Sequence, residues 1–220
     1  MALNAPLEIP LVMGFTSKKF ELGRFQQISP GGGGMIQTIE RGTPVWVAEY
    51  STPPLRDDRY DESIAFLMKL EGSMESFLAY DPRRIMPRAY QHLTVAADPW
   101  TLAGQSAPRV TAVSFNVGTL TLDRMATGAI VTMGDYISYK LGLLWYLHRV
   151  VAGGVVSGTN TIVVHVRPRP DVTTGLPVNI RYRKASAQMK MMGGYQEEDT
   201  VETYPSFTFK AIQLMDRSTS

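Results

Sequence analysis

Between residues 110 and 213 the chain is cut into short runs of apolar and β-branched residues, at 110–115, 119–122, 136–139, 145–151, 161–166, 178–182, 188–191 and 207–213, with Gly or Pro between most of them. Runs of this length, spaced by about ten residues and separated by turn signals, read as antiparallel strands of sheets or a small barrel. No helical periods alternate with them, which argues against a parallel α/β sheet. The supply of turn residues agrees, with 19 Gly and 14 Pro in 220 residues. The fold class expected from pattern alone is mainly β.

One segment departs from that pattern. Tyr60, Ile64, Leu67 and Leu70 are spaced by four, three and three, which places them on one stripe of an α-helix over 58–70. Asp57 or Asp58 is suited to cap its first turn, Asp61 and Glu62 suit its positive end, Lys69 suits its last turn, and Gly72 can take the left-handed residue beyond it. The stripe is expected to lie on a sheet.

The first 108 residues are less regular. Residues 1–27 are irregularly apolar and lead through Pro30 into Gly31, Gly32, Gly33 and Gly34. A phosphate-binding glycine loop requires a following Gly-Lys-Ser/Thr at the head of a helix, and Met35, Ile36 and Gln37 stand there instead, so the glycines are expected to form a hairpin or subunit-contact loop. Trp46, Ala48 and Tyr50 alternate with Val47 and Glu49 in a strand at 45–50, with Trp46 anchoring the core. A second strand at 77–80 stops at Asp81-Pro82 and the basic turn Arg83-Arg84, and the Pro-, Gly- and Ala-rich stretch 96–108 is the expected linker.

Composition removes several function classes. There is no Cys, which excludes disulfides, thiolate metal sites and cysteine nucleophiles. The three histidines, His92, His148 and His165, stand in no metal-binding spacing, and His148 and His165 are expected as strand residues satisfied by neighbours. No Gly-x-Ser-x-Gly elbow is present, and Glu197-Glu198-Asp199 is expected to be a solvated acidic loop. Gly134-Asp135 reads as a structural turn into a strand, and the methionines around Met189 as gap fillers in a core or interface. No catalytic residue, cofactor or metal is expected. A formal net charge of +2 does not suggest a domain built around phosphate neutralisation, and no basic leader, signal segment or long apolar span is apparent, so a soluble product of the cytoplasm without membrane contact is expected. Two local charge patterns stand out: Arg167 with Arg169, and Arg181 with Arg183, each pair sharing one side of an extended segment. They are expected to serve a solvated sheet face or an intersubunit salt-bridge surface; the alternatives are a stripe that contacts single-stranded nucleic acid with an interleaved aromatic such as Tyr182, or the wall of a channel that conducts DNA.

The run 44–55 with Trp46 and Pro53-Pro54, the helix ending in Leu70-Glu71-Gly72, Phe77 with Asp81-Pro82 and Pro87, then Gly134 to Ile137, 147–151, 161–168 and Gly175 to Val178, and finally Met189 and 207–212, resemble in their order the distal tail or tail-tip (baseplate) structural proteins of long-tailed bacteriophages. The resemblance spans about residues 20–215 and departs from the family pattern at 141–145 and in the Met-rich end. It implies an antiparallel β-sandwich plus a small inserted β-barrel: residues 1–108 and 186–220 as a ring-forming sandwich, with residues 109–185 as the insert. It further implies a three- or six-fold homo-oligomeric ring of the virion tail, made in the cytoplasm of the bacterial host, that links the tail tube to hub and fibre proteins, with nucleic acid present only as genome transiting a lumen. Gly31, Gly32, Gly33, Gly34, Arg181 and Arg183 are the expected intersubunit contacts. The alternatives are a carbohydrate- or receptor-binding β module using Trp100, Trp145 and Tyr195, and a cell-wall hydrolase built on Glu197 or Glu198.

Overall fold

A computed structural model of the chain describes residues 6–10, 13–30, 35–93, 98–170, 175–198 and 204–215. The chain is mainly β with a single α-helix among these residues, and it is built as a six-stranded sheet packed on a closed six-stranded barrel. The sheet contains β1 (Leu7–Glu8), β2 (Thr16–Pro30), β3 (Ile36–Ser51), β4 (Ser76–Tyr80), β13 (Ser186–Glu198) and β14 (Ser206–Gln213), in the order β1-β4-β13-β14-β3-β2. All neighbours are antiparallel except β1 with β4. The strands nearest the C-terminus thus return to the sheet begun by the first ones.

Between β4 and β13 lie the barrel strands β5 (Arg109–Ser114), β6 (Thr119–Asp123), β8 (Tyr136–Leu141), β9 (Leu144–Ala152), β11 (Ile162–Arg167) and β12 (Val178–Arg181), closed in the order β11-β6-β5-β12-β8-β9. A two-stranded ribbon of β7 (Ile130–Val131) and β10 (Gly154–Val155) sits beside it. Closure removes the free edges that a six-stranded open sheet would expose.

Sheet and barrel share a wall. In β8 and β9 the alternation of side chains sends Ile137, Tyr139 and Val150 into the barrel core, and Tyr136 and Leu147 outward into the core of the sheet. Both faces of these strands are therefore covered, and residues 136–139 are buried without interruption. Tyr136 meets Trp46 and Phe20 with ring centroids 5.7 and 5.9 Å apart. Trp46 is the anchor that the sequence pattern indicates.

Helix α1 (Asp57–Lys69) and its C-cap residue Leu70 lay Phe66, Leu67 and Leu70 on the sheet, with Tyr60 and Ile64 half-buried beside them. Its ends differ from expectation. Arg56 is the N-cap residue and makes no side-chain cap bond, so Asp57 and Asp58 lie inside the first turn. At the other end Glu71, one residue before Gly72, already has a positive φ of 45°, and Gly72 follows at 68°.

Three further differences have physical causes. Residues 16–30 form β2, not an irregular lead-in, because register shifts at Ser17/Lys19, Gly23/Phe25 and Phe25/Gln26 break the two-residue period on which recognition of a strand depends. β3 begins at Ile36, well before residue 45, because its first half is exposed and needs no apolar alternation. The stretch 96–108 is only partly within the described residues, and it is not a plain linker: Trp100 is buried in the barrel core, stacked on Tyr182 at 4.5 Å, and Thr101 bridges Met125, while residues 103–106 are exposed.

Candidate interaction surfaces

The β2–β3 hairpin outgrows the sheet. β14 pairs with β3 only over Val47–Ser51, whereas β2 continues against β3 from Gly23–Val45 out to Pro30–Ile36. This outer half is an arm with solvent on both faces. Cross-strand partners share a face, so Ile28 and Ile36 stand on one side of the arm and Ile39 on the other. Phe25, Ile28, Met35, Ile36 and Ile39 are between 52% and 75% exposed. Isolated apolar side chains on a surface are ordinary, but a two-stranded ribbon lacking a core on either face is marginal by itself, and this one carries several of them on both faces. Gly31, Gly32, Gly33 and Gly34, the expected contact loop, lie outside the described residues.

A second feature surrounds the junction of sheet and barrel. A cleft of about 880 Å³ between the base of the arm and the barrel is lined by Arg24, Arg41, Arg167 and Arg169, together with Glu40. A second cleft of about 600 Å³ is lined by Arg83, Arg84, Arg88 and Arg149, with Asp81. They adjoin where Arg149 of β9 and Arg167 of β11 are direct cross-strand partners. Each lining carboxylate is already engaged: Glu40 lies 3.8 Å from Arg24, and Asp81 accepts from Arg83 at 3.0 and 3.3 Å. None of Arg41, Arg84, Arg88, Arg149, Arg167 and Arg169 has an ion-pair partner among the described residues. Arg109 on the barrel is different, since it forms a bidentate pair with Asp123, Nε donating to Oδ1 and Nη2 to Oδ2, each at 2.8 Å. Arg167 is held in place by its own surroundings. Its Nη1 donates to the Val166 carbonyl at 2.7 Å, and it lies across Gly118, where a Cβ would collide with that same Nη1.

The other singled-out residues have local roles. Arg181 pairs with Glu8 at 2.9 Å and stands 5.8 Å over the ring of Trp145, while Arg183 pairs with Asp98 at 3.6 Å. Tyr182 also donates to Asp98. Asp135 is buried and accepts from Thr132 N at 2.7 Å, Thr132 Oγ1 at 3.0 Å and Arg88 N at 2.7 Å, so the turn it opens also fastens the segment after Pro87 to the barrel. His148 is buried between the Pro168 carbonyl, 2.9 Å from Nδ1, and the Tyr139 hydroxyl, 3.1 Å from Nε2. A carbonyl only accepts, so Nδ1 carries the proton and Nε2 accepts from Tyr139. Burial pushes the imidazolium pKa down to about 4, keeping the ring neutral at pH 7.

The aromatic platform of the carbohydrate alternative does not form as expected. Trp100 is fully buried, Trp145 is half-covered beneath Arg181, and Tyr195 packs edge-on against Phe207 at 5.8 Å. Glu197 accepts a hydrogen bond from the Tyr60 hydroxyl at 3.1 Å on an exposed surface and has no apolar enclosure. Among the described residues no group of three or more His, Cys, Asp or Glu is placed to hold a metal ion, and no helix is long and apolar enough to cross a membrane. Comparison with protein-family models and with characterised proteins finds no match.

Proposed function

We propose that this chain is a structural subunit of the tail tip of a long-tailed bacteriophage, which assembles into a three- or six-fold ring and joins the tail tube to hub and fibre proteins without catalysing a reaction. The observation that carries this reading is the β2–β3 arm, which holds Ile28, Ile36 and Ile39 on two opposite faces in solvent. Apolar residues on both faces of a thin ribbon suit insertion between neighbours, and repetition of that contact by rotation closes a ring. The ordered series of motifs from Trp46 to Ile212 supports the same reading through the resemblance to distal tail proteins. Its setting would be the virion tail after synthesis in the bacterial cytoplasm, with nucleic acid met only as a genome in transit.

The test is the mass of the purified protein in solution, together with negative-stain electron microscopy of the same sample. Closed rings of three or six copies are the expected result. A strict monomer at the highest attainable concentration would overturn the ring.

A further inference from the structure

Among the described residues, the arginines of the two junction clefts outnumber the carboxylates that line those clefts. Arg149 and Arg167 face each other directly across a strand pair, an arrangement that costs stability when like charges have no counter-ion between them. Arg41 and Arg169 extend the same field on the neighbouring cleft wall. The whole chain carries a formal charge of only +2, so this surplus must be balanced elsewhere. The balancing carboxylates include an exposed group at the opposite end of the sheet. Asp58, Asp61 and Glu62 are exposed on the first turns of α1, and Glu197 is tied to them through the Tyr60 hydroxyl.

The register fixes the two ends. Glu197 lies opposite Phe207 near the start of β14, and Tyr60 stacks on that same Phe207 at 5.4 Å. The arginine clefts lie beyond the other end of β14, where Gln213 pairs with Met189 and the chain turns from Tyr80 into Asp81. With eight residues in β14, the two groups are separated by about 24 Å of strand.

We infer that the junction arginines, centred on Arg149, Arg167 and Arg169, form a docking surface for the acidic end of a second copy of this chain, which presents Asp61, Glu62 and Glu197. The inference rests on the proposed ring and supplies one of its contacts. Opposite charges at opposite ends make a head-to-tail contact, the heterologous kind whose repetition generates rings. Guanidinium groups suit this contact because their forked donors engage carboxylates in pairs. The seating of Arg167 over Gly118 holds one of these forks before the partner arrives.

The experiment uses the full chain in two charge-reversed forms, Arg149→Glu with Arg169→Glu, and Asp61→Lys with Glu197→Lys. All four positions are exposed, and circular dichroism with thermal melting verifies that each form folds. Particle mass is measured by sedimentation at about 0.05 M and about 0.5 M NaCl, because this contact weakens as the screening length shrinks. Wild type is expected to assemble at low salt and to lose copies at high salt. Each reversed form alone is expected to be monomeric, and an equimolar mixture of the two is expected to assemble again with the forms alternating, as closed particles where the ring is six-fold and as even-numbered open chains where it is three-fold, since alternation joins opposite charges at every contact and cannot close around an odd number of copies. Assembly of both reversed forms with wild-type salt dependence would overturn this contact and leave the ring standing. A monomeric wild type at low salt would overturn the ring and this contact with it. Labelled single-stranded DNA bound by wild type at about 0.15 M NaCl and released by the arginine reversal, with assembly unchanged, would assign the surface to nucleic acid instead.

Discussion

The indole Nε1 of Trp46 in the sheet donates a hydrogen bond of 2.7 Å to the carbonyl oxygen of Leu147 in the barrel, two residues separated by 101 positions in the chain. Around this bond the ring of Trp46 packs on Phe20 and Tyr136, so sheet and barrel are joined by a buried polar tie inside an aromatic cluster. Trp46→Phe removes the donor and part of the ring, and is expected to lower stability by about 2 to 3 kcal/mol. Trp46→Ala is expected to cost about 3 to 5 kcal/mol. Urea denaturation followed by circular dichroism checks both values. Because the two cores meet through Tyr136 and Leu147, the transition is expected to remain single, and separate sheet and barrel transitions in wild type would contradict the shared wall.

Asp135 is expected to be a further tie, fastening the segment after Pro87 to the barrel. Asp135→Asn exchanges a carboxylate that accepts three hydrogen bonds for an amide with one acceptor oxygen, leaving a buried donor from Thr132 or Arg88 without a partner. The expected loss is about 2 kcal/mol. Faster hydrogen exchange at the Arg88 amide, with the barrel amides of Ile137 and Val150 still protected, would locate the damage at the junction. Unchanged exchange at Arg88 would count against the tie.

How much of this was legible in the sequence depends on which force set each element. The strands of the barrel were legible because their alternate residues are buried, so the two-residue period is written into positions such as Leu120 with Leu122 and Val164 with Val166. Helix α1 was legible for the same reason at a different period. β2 was not, since its bulges interrupt the alternation and its outer half has no core to select apolar residues. β7 and β10, two residues each, are shorter than any period can mark. The arginine clefts were half legible. Arg167 and Arg169 stood out as a local pair, but their union with Arg149, Arg24 and Arg41 depends on strand register and on the hairpin fold, which a near-neutral total charge conceals. A sharper sequence signal was available in Arg24 and Arg41, which flank the glycine run at comparable distances, as hairpin partners do. Arg181 and Arg183 looked equivalent to Arg167 and Arg169, yet they differ in having Glu8 and Asp98 brought to them by the fold.

The neutral His148 gives the protein an acid sensitivity of known sign. Its folded pKa is about 4 against 6.5 when unfolded, so the unfolded chain binds the proton more readily. Its contribution is fully present above pH 6.5 and is lost as pH falls toward 4, a difference of about 3 kcal/mol between pH 7.5 and pH 4. His148→Gln, which cannot titrate, is expected to be less stable than wild type at pH 7.5 and to show a shallower decline over that interval. Denaturant midpoints of the two proteins at half-unit steps of pH check this. Parallel declines would place the acid sensitivity on other groups.

The arm makes the most direct prediction about assembly. Ile28→Ser with Ile39→Ser removes one apolar side chain from each face of a ribbon that touches no core, so the isolated chain is expected to keep its unfolding free energy within about 0.5 kcal/mol of wild type. Burial of such side chains at a subunit contact stabilises it by about 1.5 to 3 kcal/mol each, so the double substitution repeated around a ring is expected to abolish assembly at micromolar concentration. Sedimentation velocity of the two proteins side by side checks it. A variant that still forms the wild-type particle would show that the arm's apolar residues lie outside the contact, whereas a large loss of monomer stability would show that the arm folds back onto its own chain.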